Sequence, residues 1–295
     1  MTRMANPAPR LFDAALARAR LARAHAQGPV DFLLARVALD LAERVAVVKR
    51  AFVRAVDLAS PGPHVARAVA AMLPAGALVQ IAPVAAALAG TGAVADPQAL
   101  PLAPACVDLI VSALALQTVD DLPGALVQIR RALKPDGLFV ACLIGGQTLQ
   151  ELRTAFAAAE EEISGGVSPR VAPFADLRDL GALLQRAGFA LPVTDAETLT
   201  VRYDSMLPLM RDLRAMGAAN ALVARSRKFL RRDVLLRAAA IYAERFSDKD
   251  GRVRATFELV WLSGWAPHES QARPLKPGSA KMRLADALGV AEIKA

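Results

Sequence analysis

The apolar positions change period several times along the chain. Leu11, Ala15, Leu16, Ala19 and Ala22 recur at helical spacing over 11–27. A second helical stretch covers 30–48, after a break at Gly28-Pro29. From residue 52 short apolar runs take over. They predict a strand over 52–59, a helix over 62–72, a strand over 77–81, a brief helix over 84–88 and a minimal strand over 92–94. The run VDLIVSAL at 107–114 reads as a buried strand carrying a single acid. An amphipathic helix follows over 122–133, stopped by a turn at Lys134-Pro135-Asp136-Gly137, and 138–143 is another apolar strand.

Beyond Gly145 the pattern predicts helices over 148–163 and 174–187, then a strand near 198–203. Helices over 205–216 and 232–246 come next, followed by a turn at Asp250-Gly251 and an alternating strand over 254–264. Pro267, Pro274, Pro277 and Gly278 make the tail irregular.

Strands and helices taking turns imply a doubly wound α/β sheet, mostly parallel, with right-handed crossovers and helices on both faces. Ligands of such sheets bind beyond the carboxyl ends of the strands, here the loops after Ala59, Ile81, Val94 and Leu114. The expected organisation is a pair of N-terminal helices (1–50) packed on one α/β domain (51–295) with a helical insertion at about 204–250.

Composition sharpens this picture. The chain of 295 residues is 55% hydrophobic and 22% charged, which suits a packed core rather than disorder. No residue from Ala68 to Ala95 is charged, a span longer than the ~20 apolar residues a bilayer crossing needs. Pro74, Pro83 and three glycines interrupt it, so short buried strands and helix ends are the expected reading. The net charge of +8 favours an anionic partner: nucleic acid, an acidic protein face or an anionic membrane surface. Part of that charge is concentrated at Arg225, Arg227, Lys228, Arg231 and Arg232. No RNA-binding signature accompanies the run, and ten Phe with two Tyr leave little base-stacking surface. Cys106 and Cys142 form no C-x-x-C, and His25, His64 and His268 are far apart, so no metal site is expected. Met1–Gln27 is rich in Arg and Ala and poor in acids, as mitochondrial presequences are. An ordinary first helix in a bacterial cytoplasm, membrane-peripheral if the basic run is used, is the preferred reading; the mitochondrial matrix is the setting if the source is eukaryotic.

Several segments carry a more specific signal: AVADPQALPLAPACVDLIVSALAL, VDDLPGALVQIRRALKPDGLFVACLIGGQTLQELR, SPRVAPFADLRDLGALLQRAGF, LMRDLRAMGAANA, ATFELVWLSGWAPHESQ and RPLKPGSA. Together they resemble the methyltransferase-like assembly factors of respiratory complex I. A more distant resemblance is to the malonyl carrier-protein methyltransferases. The resemblance implies the class I S-adenosylmethionine-dependent methyltransferase fold: a seven-stranded Rossmann-like sheet with an antiparallel last strand. It also implies a protein partner, a complex I subunit, and for the mitochondrial member an arginine hydroxylation.

The same resemblance implies a cofactor site at Asp57, Ala59, Gly62, Gln80, Asp96, Leu114 and Gln117, with no catalytic residue assigned. In the family the first strand leads into D-x-G-x-G-x-G, and here the segment is Asp57-Leu58-Ala59-Ser60-Pro61-Gly62-Pro63. The aspartate is kept, the glycine positions hold Ala59, Pro61 and Pro63, and Gly62 is offset. Proline fixes φ and has no N–H, so it is poorly suited to cradling a ligand. Gln80 stands where an acid would accept both ribose hydroxyls, and an amide has one acceptor oxygen rather than two. Asp96 keeps the acid that takes the adenine amino group. Gln117-Thr118 replaces a His-Trp pair near Leu114 and the transfer position. The expectation is a fold whose use of S-adenosylmethionine is weakened or lost, acting on or chaperoning a protein partner. An active methyltransferase working by positioning alone and a basic adaptor for membrane or nucleic acid are the alternatives.

Overall fold

The computed structural model describes residues 10–272. Its strands are β1 (Ala55–Leu58), β2 (Leu78–Ala82), β3 (Gly92–Val94), β4 (Val107–Ala113), β5 (Leu133–Ile144), β6 (Ala190–Tyr203) and β7 (Val253–Trp265). They form one sheet in the order β3-β2-β1-β4-β5-β7-β6. Six strands run parallel, and β7 lies antiparallel between β5 and β6. β1 and β4 are buried along their whole length, which is why they read as unbroken apolar runs. Chain order reverses between these two central strands, so the loops leaving their carboxyl ends diverge and open a crevice.

Helices cover both faces: α1 (Ala14–Gln27), α2 (Phe32–Ala46), α3 (His64–Ala70), α4 (Leu122–Ala132), α5 (Gln150–Ser164), α6 (Leu177–Arg186), α7 (Met206–Ala215) and α8 (Arg232–Phe246). One core gathers α2, α3, α5, α7 and α8 against the sheet, and the opposite core is built on α4 and α6. α2 sinks Leu33, Leu34, Val37, Ala38, Leu41 and Val45 into the first core, so this N-terminal helix is integral to the fold. α7 and α8 fall between β6 and β7 in the chain.

The uncharged stretch from Ala68 resolves into the end of α3, β2, a 3-10 turn at Ala85–Ala87 and β3. Among the described residues no helix is long and apolar enough to cross a membrane.

Two elements differ from the sequence pattern. β6 starts at Ala190, well before the strand expected near 198, because its early half is an edge segment that holds Pro192, a register shift and a mixed exposed face of Leu191, Val193 and Asp195. Asp195 and Glu197 in that half pair with Arg44 and Arg36 of α2, at 3.0 and 3.2 Å. These acids tie a helix down; they do not mark a loop. The turn expected at 134–137 is instead the opening of β5. Pairing with β4 jumps from Val107↔Leu133 to Leu109↔Leu138, and Asp136 absorbs the extra length at φ +61°. The end of the tail, including Pro274, Pro277 and Gly278, lies outside the described residues, as do residues 1–9.

Candidate cofactor cleft

The crevice between the loops after β1 and β4 is where the expected cofactor residues belong. β1 ends at Leu58, and Ala59 leaves the strand in the left-handed region at φ +59°, its N–H bound to the Ile81 carbonyl at 2.6 Å. Leu114 leaves β4 the same way at φ +52°, its N–H donating to Cys142 O at 2.8 Å. Each such L-residue costs about 1 kcal/mol, and strain of this kind gathers at functional loops. The turn geometry that glycine serves elsewhere is therefore retained here with alanine and leucine.

Asp57 sits in register with Gln80 on one side and Val111 on the other, and is buried. Its Oδ1 accepts from Ser60 Oγ at 2.5 Å, its Oδ2 from Gln80 Nε2 at 3.0 Å, and the Ala66 N–H also reaches it. Burial outweighs these donors and pushes the carboxyl up to about 6. Ser60 Oγ in turn accepts the Ala113 N–H at 3.1 Å, bridging the first loop to the end of β4. Gln80 uses its other end too: Oε1 accepts the Ala89 N–H at 2.6 Å. The three polar side chains nearest the crevice thus satisfy one another inside the protein. β2 continues two residues past Gln80 and ends at Ala82, which is buried and has no side-chain acceptor for a ribose.

The N-terminal segment closes the crevice from above. His25 Nε2 on α1 meets the Pro61 carbonyl at 2.8 Å. A Cβ added to Gly62 would lie 3.1 Å from Leu34 Cδ2 of α2, so Gly62 is a packing point beneath the helices. His64 pairs with Asp31 at 3.0 Å. Arg18 of α1 faces Asp96 at 3.6 Å, and Asp96 also accepts the Gln98 N–H at 2.9 Å. Ahead of α1, the Leu11 and Phe12 N–H groups both donate to Asp120 Oδ1 at 2.9 Å, just past the 3-10 turn (Leu116–Thr118) that carries Gln117. Gln117 Oε1 is buried with no partner among the described residues.

The arrangement differs from the family's cofactor cradle at several points. Pro61 and Pro63 offer no N–H, the Ala59 N–H is spent, the strand-end acceptor is missing, and α1 holds the loop with its own contacts. Of the expected residues, Asp57, Ala59 and Gln80 are brought together, and Gly62 lies under α2. Asp96 sits with α1, and Leu114 and Gln117 stand on the next loop. Sequence reasoning missed Ser60, Ala82, Arg18, His25 and Asp120. Ser60 had a local signal, as a hydroxyl three residues after a retained aspartate. The α1 contacts had none, since they join positions many tens of residues apart. Among the described residues no group of three or more His, Cys, Asp or Glu is arranged to hold a metal ion.

A methyltransferase-domain family model matches residues 68–141, starting after the first loop. The zebrafish mitochondrial arginine hydroxylase NDUFAF5 is 46% identical over 193 residues, 65% of this chain and 60% of that protein. The human protein of the same name is 45% identical over 192 residues, 65% of this chain and 55% of its own length. A malonyl-[acyl-carrier protein] O-methyltransferase from Laribacter hongkongensis is 40% identical over 184 residues, 62% of this chain and 59% of that one. The matches therefore span about 60% or less of these relatives. Among solved structures, one of a methyltransferase assigned from Bacillus halodurans superposes with a TM-score of 0.54 at 14% identity, covering 78% of this chain and 99% of that one. The chain has the class I S-adenosylmethionine-dependent methyltransferase fold, and its sequence is similar to that of the arginine hydroxylases named NDUFAF5.

Proposed function

We propose that this protein is a methyltransferase-fold assembly factor that works on a polypeptide of respiratory complex I, with S-adenosylmethionine binding weakened or lost. The observation that carries the reading is the first loop with Ala59, Pro61 and Pro63 at its glycine positions, beside a second strand that ends at Ala82 without an acceptor, while Asp57, Ser60 and Gln80 are bonded to one another. Similarity of 45–46% to arginine hydroxylases supports a polypeptide client. The mitochondrial setting in those names supports placement in the matrix for a eukaryotic source and in the cytoplasm for a bacterial one.

The test is genetic. In a host carrying this chain, its deletion lowers the amount of assembled complex I, and the natural chain restores it. Restoration by Asp57→Asn to the same level supports a role that does not use the cofactor. An unchanged complex I content on deletion would overturn the assembly reading. A second reading, an active methyltransferase, draws on the left-handed turn kept at Ala59 and on the retained Asp57 and Asp96. It requires α1 to lift from the loop before S-adenosylmethionine can enter.

A further inference from the structure

Two of the segments on which the family resemblance rests, GGQTLQELR and SPRVAPF, are not used by the cofactor cleft. In the fold they meet. Between the start of α5 and the loop 167–174 lies a cavity of about 390 Å³, within the range of small-molecule sites. Gly146, two residues past the end of β5, is among its lining residues, so the cavity adjoins the carboxyl edge of the sheet. That is the edge at which open α/β sheets bind ligands. β4, whose Leu114 marks the neighbouring loop, is the adjacent strand on the same edge.

The walls are largely apolar: Phe156, Pro169, Val171 and Phe174. The charge in the cavity comes from two arginines of different standing. Arg170 is already neutralised, its Nε bonded to Glu160 Oε1 at 2.8 Å, and Glu160 is fixed further by the Ser168 N–H at 2.7 Å. Arg153 has no carboxylate within salt-bridge distance among the described residues. Its Nη2 is shared between the carbonyls of Gly146, Thr148 and Ala172 at 3.4 to 3.5 Å, the outer limit of a hydrogen bond. Nε and Nη1 have no partner among the described residues. The three carbonyls contact one end of the guanidinium, and no carboxylate forms an ion pair with it among the described residues. A half-buried guanidinium with free N–H groups beside aromatic and prolyl walls is complementary to a planar anion on an apolar body.

We propose that this cavity binds a carboxylate attached to an apolar group, with Arg153 as the anion-binding residue and Phe156, Val171 and Phe174 as the wall. The site stands whether or not S-adenosylmethionine binds, because none of its residues belongs to the cofactor cleft. The carboxylate can come from a free organic acid or from a polypeptide that ends in an apolar residue.

The probes are 3-phenylpropanoate and its uncharged amide, titrated into the full chain by calorimetry. Binding is also followed on the Arg153 side-chain Nε–H resonance. The acid is expected to bind saturably and at least about tenfold more tightly than the amide, an ordinary margin for a charge-assisted pair, and to move that resonance. Arg153→Met removes the discrimination between acid and amide. Because Arg153 also braces three carbonyls, a second variant, Ala157→Phe, fills the cavity and leaves the guanidinium untouched. It abolishes binding while its thermal melt stays cooperative. N-acetyl-Ala-Phe, with its free carboxylate, separates the two sources: tighter binding than the acid assigns the site to a polypeptide terminus, and weaker binding assigns it to a small acid. Equal affinity for acid and amide, unchanged binding in Ala157→Phe, or no saturable binding of the acid would each overturn the proposal.

Discussion

Burial of Asp57 makes a sharp prediction about pH. Its carboxyl is raised from 3.8 to about 6, with burial as the largest cause. That rise corresponds to about 3 kcal/mol of penalty once the group must ionise in the folded protein. For an acid whose folded pKa is raised, the associated stability is fully present below the unfolded value and is lost as pH rises through the folded one. Stability should therefore increase as pH falls from 7 to 5, by about 1 kcal/mol from this residue alone. Asp13, Asp108 and Glu160 are lowered by their partners and act in the opposite sense, but only near and below their ordinary range. The window from 5 to 7 is thus dominated by Asp57 among the shifted carboxylates. The assay is urea denaturation of the natural chain and Asp57→Asn at several pH values. The difference between the two curves cancels the contribution of groups they share. Asp57→Asn should be at least as stable as the natural chain at pH 7, with the advantage shrinking toward pH 5. A difference that stays constant across the window would refute the claim that Asp57 is held in a dry site.

The remaining predictions concern the loop and its cover. Ala59→Gly should raise stability by up to about 1 kcal/mol, since relief of the left-handed residue exceeds the added freedom of glycine in the unfolded chain; an unchanged or lower denaturation midpoint would count against the strained turn. Leu41→Ala on α2 should cost about 2–5 kcal/mol, read from the same midpoints, because Leu41 is fully buried in the core and not in a peripheral arm. Arg18→Ala combined with His25→Ala should speed amide exchange across 14–27 only modestly and leave β4 and β5 protected, because α1 keeps its ties to 217–225 through Asp13, Arg20 and Leu21; full exposure of 14–27 to exchange would count against this placement.

Much of the sheet was legible in the sequence because its central strands are buried on both faces. VDLIVSAL cannot be mistaken once a run of that length is bounded by turns, and β3 and α8 match the expected ranges residue for residue. β6 was only half legible. Its early half holds Pro192 and a register shift, and Asp195 and Glu197 serve helix α2 in a way no local pattern reveals. The cleft divides along the same line. Substitution of glycine by Ala59, Pro61 and Pro63 could be read directly against a known motif. The consequence could not: Gln80 is turned toward Asp57 within the sheet, two residues short of the strand end that a ribose would need. The Arg18–Asp96 pair and the His25–Pro61 contact are products of chain path, and neither local spacing nor composition encodes them.

The central claim is that this cleft is closed by the chain's own side chains, and calorimetric titration with S-adenosylmethionine and with its demethylated product tests it most directly. The natural chain is expected to give no saturable heat in the micromolar range. A folded variant carrying Ala59→Gly, Pro61→Gly and Pro63→Gly is expected to recover some binding, since it restores two N–H donors and relieves the first turn. Micromolar binding by the natural chain would contradict the account and return the protein to the active methyltransferases.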